Sequence, residues 1–275
     1  MIMTEIFSYA FLSRAFLSGL LVSAAAALLG VSLVLRRYSM IGDGLSHVGF
    51  GALALATVLS LSPMAVTIPV VVLTAFLLLR LPEKAKGSGD SAIALISSSA
   101  LALGVLAVSL GGVNTDLNSF LFGSIVSVSK SDAAVSAVVS VVTIAVYLVF
   151  YHQLYAATFD PAFARATGIK CERYTTLLAV LTALVIVIGM RLLGSLLISS
   201  LIIFPAMTAM RVAKTYFSVT VLAVVESLLA FVLGFVASYA FSLPTGATIV
   251  VSHLILFLIV LITGKAVSLV NKRRA

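Results

Sequence analysis

Long, nearly uncharged apolar runs dominate the chain, and polar positions gather in the short stretches between them. The runs fall near 15–35, 45–61, 64–81, 92–110, 133–151, 174–190, 192–210, 216–240 and 247–264. A helix that crosses a bilayer needs about 20 mostly apolar residues, because the hydrocarbon core is about 30 Å thick. The pattern therefore predicts an all-α fold: a polytopic transmembrane helical bundle of about eight to nine spans. The run at 192–210 is the least regular, and one re-entrant segment would reduce nine spans to eight. No polar segment is long enough for a second domain, so residues 1–275 are read as one transmembrane domain.

Composition agrees. Of the 275 residues, 62% are hydrophobic and only 9% are charged, against roughly 25% charged in a soluble domain. That leaves too little polar surface to cover a water-soluble globule, so lipid must solvate the outside. The net charge of +8 does not indicate nucleic-acid binding, since the basic residues sit in short clusters between apolar runs. That is the pattern of cytoplasmic loops. With the N-terminus outside and the C-terminus cytoplasmic, Arg36, Arg37, Arg80, Lys84, Lys86, Arg165, Lys170, Arg173, Arg211, Lys214, Lys265, Lys272, Arg273 and Arg274 lie inside. Only Arg14, Lys130 and Arg191 lie outside. This bias predicts that orientation in the cell membrane. Glu5 and the lack of an early basic cluster predict a retained first span rather than a cleaved signal. The single cysteine, Cys171, excludes an intrachain disulfide.

Ionisable groups inside a bilayer are costly and mark function. Asp43, His47, Glu226 and His253 are the candidates. Asp43 and His47 are four residues apart, on one helical face. Counting about 1.5 Å per residue from the nearest basic anchors puts His47 about 15 Å, and Glu226 and His253 about 18 Å, from the cytoplasmic surface. Three spans are thus expected to bring metal-competent groups to one level. Carboxylates with imidazole suit zinc, manganese or iron(II), whereas copper(I) prefers sulfur ligands. The plainer alternatives are a satisfied core histidine at 253 and a protonated Glu226 bonded to serines of a neighbouring helix. The glycine-dense stretch Gly42–Gly51 fits close helix packing and a partly unwound span that lines a path, two compatible readings. Pro205 is expected to kink its span, with Ser195, Ser199 and Ser200 near enough to satisfy freed backbone groups.

The polar loop at 152–173 predicts a short capped helix. Asp160 is a good N-cap, Pro161 suits the first helical position and Gly168 supplies the stop. Two turns are too short to be stable alone, so this helix needs a surface, either the membrane interface or a cytoplasmic partner.

Several motifs, in order along nearly the whole chain, resemble the zinc/manganese/iron permeases of ABC importers. They are Val34-Leu35-Arg36-Arg37 with Met40-Ile41-Gly42-Asp43-Gly44-Leu45-Ser46-His47, Phe120-Leu121-Phe122-Gly123-Ser124-Ile125, and Phe159-Asp160-Pro161 with Ala164 and Gly168-Ile169. Leu193-Gly194 through Leu201-Ile202-Ile203 to Pro205-Ala206, and Leu243-Pro244-Thr245-Gly246-Ala247-Thr248-Ile249-Val250, complete the set. The resemblance implies a homodimeric permease with the fold of cobalamin-type importers, a cytoplasmic ABC ATPase dimer and an extracytoplasmic metal-binding protein. It implies no permanently bound cofactor, only a transported divalent ion. It implies that Asp43 and His47 are ligands in the path, and that Phe159, Asp160, Pro161, Ala164, Arg165 and Gly168 form the element that couples to the ATPase. Some members carry a histidine two turns beyond the intramembrane acid, where this chain has Leu233. No Gly-x-x-x-x-Gly-Lys-Ser/Thr pattern occurs, so a partner must hydrolyse ATP. The rival expectation is an autonomous secondary transporter that uses Asp43, His47 and Glu226 as a relay. An intramembrane hydrolase is disfavoured, since no His-Glu-x-x-His occurs.

Overall fold

A computed structural model describes residues 8–80, 89–111, 123 and 128–274. Among them, nine helices are long and apolar enough to cross a membrane. They are α1 (Ala10–Leu35), α2 (Ile41–Val58), α3 (Pro63–Arg80), α4 (Gly89–Gly111), α5 (Lys130–Val149), α8 (Cys171–Leu193), α9 (Ser195–Val212), α10 (Tyr216–Phe241) and α11 (Thr245–Arg274). Two short helices, α6 (Tyr151–Phe159) and α7 (Pro161–Ala166), fill the large loop. The all-helical, multi-pass expectation holds. Lys84 and Lys86 lie outside the described residues, as does the motif at 120–125 apart from Gly123.

The helix starts move from the expected positions because apolar runs do not show caps. α5 begins at Lys130, three residues before its apolar run, because the Ser129 hydroxyl accepts a hydrogen bond from the Asp132 backbone N–H at 3.0 Å. The irregular run at 192–210 is the seam between α8 and α9. Gly194 turns the chain there with φ +92°, a conformation other residues rarely adopt.

Burial sorts the spans into two groups. In α1 and α8, 72% of the apolar window is buried, against 17% in α4 and 22% in α11. The first two therefore form the protein-facing centre, and the others form the rim. α1 packs on α5, α8, α9 and α10, while α2 packs on α3, α4, α8 and α9.

The glycines of α2 serve packing. The helix is continuous from Ile41 to Val58, so the partly unwound reading does not hold. A Cβ on Gly51 would lie 2.6 Å from the Ala100 carbonyl oxygen on α4, and one on Gly30 would strike the Ile202 carbonyl on α9. Bare backbone lets these helices touch where water cannot drive them together.

Pro205 sits inside a continuous α9, buried. The expected repair by serines is not what happens. A proline at 205 frees the Leu201 carbonyl, but Ser199 donates to Ser195 O and Ser200 to Leu197 O, both upstream.

Replacing Gly51 with Val should force α2 and α4 apart at a cost of about 1–3 kcal/mol. The detergent-solubilised protein should then lose monodispersity at a temperature several degrees lower, by size exclusion after heating. An unchanged midpoint would show that the close approach is not needed.

Candidate functional site

Asp43 lies in the first turn of α2, where the positive end of the helix dipole favours a carboxylate. His47 follows one turn later, with its Nε2 3.5 Å from Asp43 Oδ2. Two ligand bonds of about 2.1 Å at a tetrahedral centre put their donor atoms roughly 3.4 Å apart. The observed separation therefore suits a bridging cation better than a direct hydrogen bond. Both side chains are partly open, 20% for His47 and 43% for Asp43. A carboxylate this open on a membrane span must face water or another chain, since lipid cannot solvate it. The other ring atom, His47 Nδ1, is buried without a hydrogen-bond partner. α2 begins only at Ile41, because residues 36–40 form a turn. His47 is thus six residues, about 9 Å, into its helix. The expected 15 Å from Arg37 treats that turn as helix.

Glu226 on α10 and His253 on α11 form a second pair. His253 Nδ1 lies 3.1 Å and 3.2 Å from the two carboxylate oxygens. With Glu226 ionised, the Nδ1–H donates to both. His253 is fully buried and Glu226 nearly so. Phe204 of α9 stacks on the imidazole, with ring centroids 6.1 Å apart. Glu226 also borders a cavity of about 210 Å³ between α9, α10 and α11, whose walls are otherwise apolar apart from Thr208. The acid's partner is thus a histidine from the next span, and among the described residues no serine bonds it. Leu233, two turns beyond Glu226, is exposed. His253 Nε2 is buried with no hydrogen-bond partner.

The four candidates therefore make two pairs rather than one cluster. Among the described residues no three of His, Cys, Asp or Glu come together in a metal-sized group. Within a single chain the candidates do not gather into one coordination sphere, because rise along separate helices fixes depth but not which face each helix turns inward.

The loop helix is built as expected. Asp160 Oδ1 accepts from Phe163 N at 2.9 Å, and Pro161 opens α7. At its end Gly168 N–H donates to Arg165 O and Ile169 N–H to Ala164 O, with Gly168 at φ +88°. This is a Schellman stop. Ala164 is buried against Ala157 and Cys171. Phe159 and Phe163 are 63% and 66% exposed, and Arg165 is exposed beside them. Two bare phenylalanines thus stand on either side of Asp160, Phe159 ending α6 and Phe163 on α7.

Three polar sets carry no signal in the sequence. Arg80 pairs with Glu172 at 2.9 Å, and Arg191 with Asp132 at 3.4 Å; they tie opposite ends of α8 to α3 and α5. The hydroxyls of Ser32, Tyr147 and Tyr216 join α1, α5 and α10. Each involves residues far apart in the chain, so no local spacing could reveal it.

Nine apolar spans among the described residues define a multi-pass membrane protein. The family model described as the ABC 3 transport family matches residues 8–264, and the chain belongs to that family. It is 32% identical over 249 residues to the manganese import system permease protein ScaB of Streptococcus gordonii, covering 90% of each chain. It is 30% identical over 246 residues to the high-affinity zinc uptake system membrane protein ZnuB of Haemophilus influenzae, covering 89% of this chain and 94% of that one. Among solved structures, it resembles a chain of PsaBC from Streptococcus pneumoniae in complex with Fab. There the TM-score is 0.83 and the identity 31%, over 94% of each chain.

Removing one member of the sealed pair strands the other. Glu226→Ala or His253→Ala alone should destabilise the protein by about 3 kcal/mol or more, while the apolar double change Glu226→Leu/His253→Phe should recover much of it. Thermal unfolding in detergent compares the three. A double variant no more stable than the singles would contradict the pairing.

Proposed function

We propose that this chain is the membrane-spanning permease of an ABC importer that brings a divalent transition metal into the cytoplasm, driven by a separate ATPase. Membership of the ABC 3 transport family and the likeness to manganese and zinc permeases support this. The observation that carries the site is the 3.5 Å Asp43–His47 separation on an accessible face. The cargo is manganese, zinc or iron(II), all of which accept these ligands. Each chain offers one carboxylate and one imidazole here. A second copy about a two-fold axis would supply four donors, the number a tetrahedral cation takes. A homodimer with the path on its axis is therefore part of the reading. An extracytoplasmic binding protein delivers the ion with the N-terminus outside, as the basic loops require. In the second pair, Glu226 is the member that borders the cavity, so a cation entering there would meet its carboxylate, with His253 bonded to it.

The relay expected of an autonomous secondary transporter would need Glu226 beside Asp43 and His47. It is paired elsewhere, to His253, so the ATP-driven reading is the better one. α7, with Phe163 exposed on it, Phe159 exposed at the end of α6 and Asp160 and Gly168 fixing its ends, is the docking element for the ATPase.

Asp43→Ala and His47→Ala should each reduce uptake of radioactive manganese or zinc at least about tenfold, the loss of a ligand bond or charge-assisted contact. Co-purification of the ATPase should persist. Normal uptake by both variants would remove these residues from the path. Separately, Phe163→Ala should weaken recovery of the ATPase with the permease, as truncating an interface anchor does. Full recovery would place docking elsewhere.

A further inference from the structure

The short helix α7 and the Asp43–His47 pair are remote in the chain, and no extensive packing joins α2 to α6 or α7. α6 packs on α1, α5, α7 and α8, and α7 on α6 and α8. Motion of α7 must therefore reach α2 through α8 or through α1. One side chain stands where both routes meet. Arg36, the residue that caps α1, donates from Nη2 to the Ala157 carbonyl of α6 at 3.0 Å and to the Thr175 hydroxyl of α8 at 2.9 Å. Ala157 packs directly on Ala164 of α7. One guanidinium nitrogen thus bridges the two helices that hold α7 from either side.

The turn after Arg36 is stiff. Arg37 N–H donates to Val34 O and Tyr38 N–H to Leu33 O, which makes a full Schellman turn. Its left-handed position, φ 65°, is occupied by Arg37 rather than glycine. Ile41 N–H then donates to Tyr38 O, and Gly44 N–H to Met40 O. Backbone hydrogen bonds thus run from Arg36 into the first turn of α2, where Asp43 sits. One turn before Arg36, Ser32 is held by the Tyr147 and Tyr216 hydroxyls at 3.2 Å and 2.8 Å. Tyr216 in turn packs on Tyr155 of α6, with centroids 4.9 Å apart. The end of α1 is thus clamped on several sides, with Tyr151 of α6 packed in the cluster around Val31, Val34 and Leu35 and Arg36 as the hydrogen-bonded link to α6 and α8.

We propose that Arg36 is a positioning residue, a strut that carries displacement of α7 through the 36–40 turn to Asp43 and His47. This rests on the transport reading and deepens it. A strut of this kind predicts uncoupling rather than collapse. Without it the ATPase still docks and cycles, but the cation pair no longer moves with it.

The test uses the permease with its ATPase and binding protein in vesicles, measuring manganese uptake and ATP hydrolysis together. Arg36→Gln should leave ATPase recovery unchanged and hydrolysis within about twofold of wild type. Ions moved per ATP should fall at least about tenfold, since two hydrogen bonds from a charged group are lost. Thr175→Val keeps the shape and removes one acceptor, so the ratio should fall severalfold, and Thr175→Ser should restore it. An unchanged ratio in Arg36→Gln and Thr175→Val would overturn the proposal. So would uptake and hydrolysis falling in parallel. If Arg36→Gln fails to assemble, the Thr175 pair decides alone. Hydrogen exchange separates this from failure of the transport reading. ATP with vanadate should alter exchange over residues 36–47 in wild type and not in Thr175→Val. That result with no ATP-dependent uptake in wild type would sink the transport reading and leave the strut standing. An equal change in both proteins would sink the strut.

Discussion

Hydrocarbon cannot solvate charge or an unpaired backbone dipole, and the rest of this structure depends on that. The spans must be helices that bond their own backbones. Every ionisable group inside them must then be paired or reach water. Glu226 meets the requirement by pairing with His253 beneath the Phe204 ring. Asp43 meets it differently, with a neighbouring imidazole just beyond hydrogen-bond reach and a face left open. The same chemistry, a carboxylate and a histidine, is sealed in one place and accessible in the other.

That contrast bears on function. A transport site must take up an ion and release it, so its ligands cannot be fully satisfied by one another. On the proposed reading the Asp43–His47 pair is of that kind. The Glu226–His253 pair satisfies its carboxylate twice and leaves only Nε2 unmet. It holds α10 to α11 as a buried pair holds any interface, and losing one partner leaves the other uncompensated.

The loop between α5 and α8 shows how a short helix is made to endure. Its ends are closed by Asp160 and Gly168, and its inner face by Ala164 against Ala157 and Cys171. What remains outward is Phe159 and Phe163. On the proposed reading, force applied there enters a frame in which α6, α8 and α1 share the hydrogen bonds of Arg36. Small-residue contacts such as Gly51 against Ala100 keep α2 close to its neighbour α4.

The spans, the loop helix and the identity of the candidate ligands were all legible along the chain. Each is a local matter: run length against bilayer thickness, a cap and stop around six residues, and charges stranded in apolar runs. Helix starts were legible only to within a few residues, because caps such as Ser129 lie outside the apolar pattern. Which groups pair is a different kind of question. Depth along a helix can be counted, but the face a helix turns inward depends on its neighbours. Hence Glu226 found His253 rather than Asp43, the glycines of α2 proved to be contacts rather than a break, and Arg36, a basic residue at a loop edge in the sequence, became a bridge. Contacts between helices far apart in the chain obey packing, and packing leaves no period in the sequence to read.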